Sequence, residues 1–326
     1  MEGYETSQLE RLDRLLSELN TQSLLVVSNG RVLYSFGDVS DTGYIASVRK
    51  SVLAILFGPY VEAGNLSLND TLETLGIDDH LGLSHQEKQA RVADLLRSRS
   101  GVYHPAANGG DSLASAPPRG SKSPGSYFLY NNWDFNALGH IFEQQTGVSV
   151  YTALALRLAE PLAFQDFDLS EQELHGDESR SQYLAYHMFL SARDLARIGV
   201  LMLNEGRWHG QQLISREWIR TITSETTDFT DMHPANQREQ ELDFGILWWL
   251  FDERHSNEAY QGAYVAQGSY GQFLLVVPKY KLVIAHKTRY QPVSNAQEYH
   301  SVSVSWEQFM QIADTVVGAR IREPSD

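Results

Sequence analysis

The sequence predicts an α+β fold: an antiparallel sheet built from the N- and C-terminal segments, flanked by helices, with a mostly helical insertion between them. Two observations carry this reading. Short apolar, β-branched runs bounded by turn residues occur near both ends, at Leu24 to Val27, Val32 to Tyr34, Gln272 to Val277 and Leu282 to Ala285. Between them the pattern is helical, and one antiparallel sheet drawn from the two ends is the economical way to bury such strands.

Taken in order, Leu9, Leu12, Leu15, Leu16 and Leu19 recur at helical spacing, and Asn29-Gly30 between two apolar runs marks a hairpin. From Ser47 an apolar stretch reads as a buried helix interrupted by Pro59. Short helical segments follow, including Val92 to Leu96. Residues 101 to 126 are aperiodic and rich in glycine and proline; a loop that long is functional or disordered. Helices are expected at Asp134 to Thr146 with Gly147 as C-cap, at Val150 to Leu162, at Ala192 to Asn204 with Ser191 and Asp194 as a capping box, and at Ser215 to Thr223. A strand is expected over Phe244 to Leu250, and an amphipathic helix over Val304 to Val317. The domain division that follows is residues 1–60 with 235–326 as the sheet domain and residues 61–234 as the helical domain, with the active site between them.

With 326 residues, 42% of them hydrophobic, the chain is long enough for a substantial core. A net charge of −15 repels phosphate backbones and anionic lipid, so neither nucleic acid nor membrane is an expected partner. The absence of cysteine excludes disulfide scaffolds, thiolate nucleophiles and Cys-based zinc sites. The histidines form no His-Glu-x-x-His, and His140 with Glu143 reads as a surface pair, so no metal and no cofactor are expected. The N-terminal residues lack a basic region followed by an apolar one, and no run approaches bilayer length. The sequence as it stands reads as cytoplasmic, or as periplasmic or secreted if a leader has been trimmed.

The chemistry is concentrated at Ser47-Val48-Arg49-Lys50. A hydroxyl and an amine three residues apart project from one face of a helix, where the amine can deprotonate the serine. The alternative makes Ser47 a plain N-cap and Lys50 a solvated lysine. Tyr130-Asn131-Asn132, at the junction of the long loop and a helix, places a phenol and a carboxamide two positions apart; Asn132 as an ordinary N-cap is its structural alternative. Gly268-Ser269-Tyr270-Gly271 precedes a strand, where glycines admit close backbone approach and a backbone N–H can meet an oxyanion. It is not a nucleophile elbow, because position 267 is Gln and no helix follows.

These segments, in this order, resemble the serine β-lactamase and penicillin-binding protein superfamily, in particular its class C-like branch with esterase and 6-aminohexanoate-dimer hydrolase relatives. Ser47-Val48-Arg49-Lys50 matches Ser-x-x-Lys and Tyr130-Asn131-Asn132 matches Tyr-x-Asn. The segments Glu62 to Asp70, Asp94 to Gly101 and Ala192 to Gly199 also look like the family. Where β-lactamases have Lys-Thr-Gly, this chain has Ala266-Gln267-Gly268, so the cation that helps bind a substrate carboxylate is gone. The resemblance implies a serine hydrolase that cleaves a small ester or amide through an acyl-enzyme. Ser47 would be the nucleophile, Lys50 and Tyr130 would share its proton, Asn132 would orient Lys50 and substrate, and the N–H groups of Ser47 and Ser269 would hold the oxyanion. The alternatives are a β-lactamase or D-alanyl peptidase and, from another class, a sensor that is acylated once without turnover. Substrate contacts are expected from Gln267, Gly268, Tyr270, Tyr103, His187 and Trp248, the last because adjacent Trp248 and Trp249 face opposite sides of a strand and one of them reaches the cleft.

Overall fold

The computed structural model describes residues 5–293 and 295–320. In chain order it runs α1 (Thr6–Glu18), β1 (Thr21–Ser28), β2 (Arg31–Gly37), β3 (Gly43–Tyr44), α2 (Val48–Glu62), α3 (His85–Lys88), α4 (Val92–Leu96), α5 (Asn132–Thr146) and α6 (Val150–Leu154). Then come β4 (Glu173–His175), β5 (Ala185–His187), β6 (Phe189–Leu190), α7 (Ala192–Leu203), β7 (Arg207–Trp208), β8 (Gln211–Gln212) and α8 (Arg216–Ile222). The chain closes with β9 (Asp243–Phe244), β10 (Trp249–Leu250), β11 (Tyr264–Gly268), β12 (Gln272–Val277), β13 (Leu282–Thr288), α9 (Ala296–Val302) and α10 (Trp306–Gly318).

The main sheet is seven-stranded and antiparallel, in the order β2-β1-β13-β12-β11-β10-β9. The two ends of the chain meet where β1 pairs with β13, Leu25 opposite Ala285 and Val26 opposite Ile284. Side chains alternate across a strand, so residues of odd and even parity enter different cores. Leu25, Val27, Val283, Ala285, Leu274 and Val276 join the core shared with α2 and α7. Leu24, Val26, Leu282, Ile284, Leu275 and Val277 join the core formed with α1 and α10, through Leu12, Leu16, Phe309, Ile312 and Val316. Coverage on both faces explains why these strands read as unbroken apolar runs rather than alternating ones. At Gly199 of α7 an added Cβ would lie 2.4 Å from Val283 Cγ1, so the glycine lets this helix lie directly on β13.

Three expected elements differ. The expected strand Phe244 to Leu250 is two short strands with a turn between them, in which Leu247 takes φ +59°. The helix from Val150 is α-helical only to Leu154 and widens into a π turn over Ala155–Ala159. The box at the start of α7 is half made: Ser191 accepts from the Asp194 N–H, but the Asp194 carboxylate instead accepts from the N–H groups of Gln165 and Asp166. Gly147 ends α5 as expected, at φ +69°.

Candidate active site

Helix α2 is buried nearly throughout, including Arg49, Lys50 and Ser51 in its first turn. Burial of the whole turn fixes where the Ser47 and Lys50 side chains point. Ser47 occupies the N-cap position but makes no side-chain cap bond, so its hydroxyl is available for other chemistry. Ala46 before it takes φ +48°, an uncommon conformation for a residue with a Cβ that turns the chain sharply into the helix.

Lys50 is 2% exposed, and its Nζ lies within hydrogen-bond distance of three oxygens: Ser47 Oγ at 3.0 Å, Tyr130 Oη at 2.7 Å and Asn132 Oδ1 at 2.6 Å. It also lies 4.3 Å from the ring centroids of both Tyr130 and Phe135. Among the described residues no carboxylate comes within ion-pair range of it. Burial first, then the Arg49 cation, drives its pKa well below the usual lysine range, with the Asp111 charge opposing. Burial likewise pushes the Tyr130 phenol up to about 12, against the Ser47 hydrogen bond and the Arg49 charge. Both shifts act toward the uncharged forms, burial favouring the free amine of Lys50 and the protonated phenol of Tyr130.

The Tyr130 segment is held by its neighbours. Asn131, not Asn132, caps α5, its side chain accepting from the Trp133 N–H at 3.0 Å. That leaves Asn132 to accept from Lys50 while its Nδ2 donates to the Gly109 carbonyl at 2.7 Å. Asp111 accepts from the Asn132 N–H at 3.1 Å, which ties the long loop to the site.

On the opposite wall, β11 ends in a turn at Ser269–Gly271 in which Tyr270 takes φ +68°. A Cβ on Gly268 would lie 2.6 Å from the Ile45 carbonyl oxygen, so only glycine lets β11 approach the residues leading into Ser47. Beyond Val265 the partner strand β10 has ended, and Ala266 to Gly268 pair only with β12 on that side of the sheet. A cleft of about 670 Å³ opens there, lined among others by Ser47, Tyr130, Asp111, Trp249, Gln267 and Ser269.

The structure thus brings Ser47, Lys50, Tyr130, Asn132, Gln267, Gly268 and Ser269 to one place, and leaves four expected residues aside. Trp248 is fully buried against Tyr264, and Trp249 lines the cleft instead, because the turn at Leu247 inverts the expected facing. Tyr270 packs its ring on Tyr290 and on Tyr299, and it is Tyr299, not Tyr270, that lines the cleft. The Tyr103 hydroxyl is buried without a hydrogen-bond partner among the described residues and is not part of the lining. His187 bonds Tyr44 Oη at 3.1 Å outside the cleft, its pKa pressed down to about 3 by burial, then by Arg49 and His175. Sequence reasoning missed Trp249, Asp111 and Gln240, which accepts from the Gln267 amide at 2.9 Å; only the paired tryptophans gave any signal.

Comparison with known proteins bears on the fold. The solved structure "Putative 6-aminohexanoate-dimer hydrolase from Bacillus anthracis" is 22% identical, covers 94% of this chain and 82% of its own, and superposes with a TM-score of 0.67. A class C β-lactamase mutant is 15% identical, with a TM-score of 0.65, covering 96% and 98%. An uncharacterized protein of Alkalihalophilus pseudofirmus is 31% identical over 105 residues, which is 30% of this chain; the chain thus spans less than a third of that curated relative, 29% of its length. These likenesses carry the fold. The Beta-lactamase family model matches residues 14–300, a span holding the Ser47 turn, the Tyr130 segment and the β11 turn, and the chain belongs to that family of serine hydrolase fold.

Proposed function

We propose that the protein hydrolyses small esters or amides through an acyl-enzyme on Ser47. The observation that carries this reading is the Lys50 amine, buried, without a carboxylate, and within 3.0 Å of Ser47 Oγ, Tyr130 Oη and Asn132 Oδ1. The directions of the two pKa shifts divide the labour. Lys50, favoured as a neutral amine, takes the Ser47 proton as the oxygen attacks the carbonyl carbon. Tyr130, still protonated, hands a proton to the leaving alcohol or amine and is replenished from Lys50. The N–H of Ser47, at a helix start where it has no intrahelical acceptor, and that of Ser269 across the cleft receive the oxyanion. Water then enters where the leaving group stood, is deprotonated by the same pair, and releases the acid.

The charge of the cleft favours a neutral ester or amide over a carboxylate-bearing β-lactam. Among the described residues its lining contains the acidic Asp111 and Glu307 and one histidine, His300, but no arginine or lysine, so a substrate carboxylate would meet two like charges and no permanent counter-ion. The test runs a chromogenic short-chain ester beside a chromogenic cephalosporin. Steady turnover of the ester and little of the cephalosporin is expected, with loss of both in Ser47→Ala at unchanged circular dichroism and with a phosphonate adduct located on Ser47. Retained turnover in that variant overturns the nucleophile; a single stoichiometric burst identifies a sensor.

A further inference from the structure

The β4–β5 hairpin carries three metal-type donors that acyl transfer does not use. Glu173 and His175 are two positions apart on β4, so their side chains leave the same face, and the register sets Glu173 directly opposite His187 on β5. One donor atom from each of the three lies within 4.8 Å of the other two. Among the described residues no hydrogen bond or ion pair joins the three to one another. The imidazoles of His175 and His187 stack with centroids 4.7 Å apart. His187 Nε2 is engaged by Tyr44 Oη at 3.1 Å, which orients the ring and leaves Nδ1 for a ligand, the second-sphere arrangement usual for metal-binding histidines.

We propose that Glu173, His175 and His187 bind a divalent first-row transition metal. Two imidazoles and a carboxylate are a donor set suited to Zn²⁺. With bonds of about 2.0–2.2 Å, tetrahedral geometry places donor atoms roughly 3.4 Å apart. From spacings of up to 4.8 Å, the exposed side chains of Glu173 and His175 must rotate to bring their donors up to about 1.4 Å closer, and water completes the sphere from the solvent side. The bound ion clamps β4 to β5. Two further links tie that hairpin to the chain just before the nucleophile: the phenol of Tyr44, and the Ile45 N–H donating to the Met188 carbonyl at 3.0 Å. The role is structural, acting on the residues that lead into Ser47, and the site stands whether or not the proposed ester hydrolysis does.

The experiment strips the full chain with a chelator, then measures Zn²⁺ by competition titration and the thermal midpoint with and without Zn²⁺, in wild type, His175→Ala and Glu173→Gln. Expected are one tight Zn²⁺ per wild-type chain, affinity at least about 100-fold weaker in His175→Ala, and a metal-induced rise in midpoint that the variant lacks. His175 is exposed, so the variant should keep the wild-type circular dichroism; if it does not, Glu173→Gln, which keeps the shape of the side chain, decides alone. Absence of stoichiometric binding in wild type overturns the proposal. So does equal binding by both variants, which would place the ion among the other histidines.

Discussion

At Lys50 two tendencies act in one direction. An ammonium buried to this degree loses its hydration, and the nearby Arg49 guanidinium, itself buried and bonded to Asn136, repels it. The three oxygens around Nζ recover part of that cost for either protonation state, and the Asp111 charge, which opposes the shift, does not cancel it. The predicted pH dependence follows. Activity requires the neutral amine, so kcat/KM should rise with pH along an acid limb whose midpoint lies well below lysine's ordinary 10.5, and fall only as the Tyr130 phenol ionises toward about 12. Lys50→Arg keeps the charge but stays protonated at every accessible pH, and should lose about 10²–10⁴ in rate across the whole profile. A wild-type rate in that variant would remove the amine from the reaction.

Among the elements, β11 does the most with the least. Its last residues have no partner on the β10 side, and Gly268 puts its backbone against the Ile45 carbonyl, so the Ser269 N–H and the Ser47 turn face one cleft. The glycines at 268 and 271 were legible as a close approach, but the reason was not: Gly268 makes room for the chain's own backbone, not for a ligand. The neighbouring β9–β10 turn was illegible, since Leu247 adopts a left-handed conformation without being glycine or asparagine, and that reversal decides which tryptophan meets the cleft. Gly268→Ala tests the packing. Its Cβ would press 2.6 Å from Ile45 O, and the strand must shift away from Ser47. If the Ser269 N–H is an oxyanion donor, the shift should cost about 10²-fold or more in kcat with a smaller change in KM. A fall in thermal midpoint with kcat intact would confine Gly268 to a packing role.

For the whole molecule, the sheet is the device that brings distant residues together. Strands β1, β12 and β13 were readable because each is apolar on both faces, and their assignment to the two chain ends implied the closure that β1 and β13 make. The meeting of Lys50 with Tyr130, 80 residues later, was not in any local pattern, and came from likeness to a family rather than from periodicity. Nor did any pattern reveal that His286 on β13 fastens both ends of this closure. It is fully buried, with Nδ1 at 2.7 Å from the Gly271 carbonyl in the turn beside Ser269 and Nε2 at 2.9 Å from Thr21 Oγ1 at the start of β1. A neutral ring satisfies both partners, donating to the carbonyl and accepting from the hydroxyl. Burial lowers its pKa from 6.5 to about 4, so the unfolded chain takes up a proton that the folded chain refuses. The stability this provides is complete above about pH 6.5 and is lost progressively as pH falls toward 4, amounting to about 2 kcal/mol at pH 5. Urea unfolding of wild type and His286→Gln at pH 7.5 and pH 5.0 isolates the effect, because the other titrating groups are common to both chains. Whatever stability the variant has at pH 7.5, wild type should lose about 2 kcal/mol more than it does on moving to pH 5.0. Equal losses would mean that His286 ionises as readily in the folded protein as in the unfolded one, and that it does not hold the closure in its neutral form.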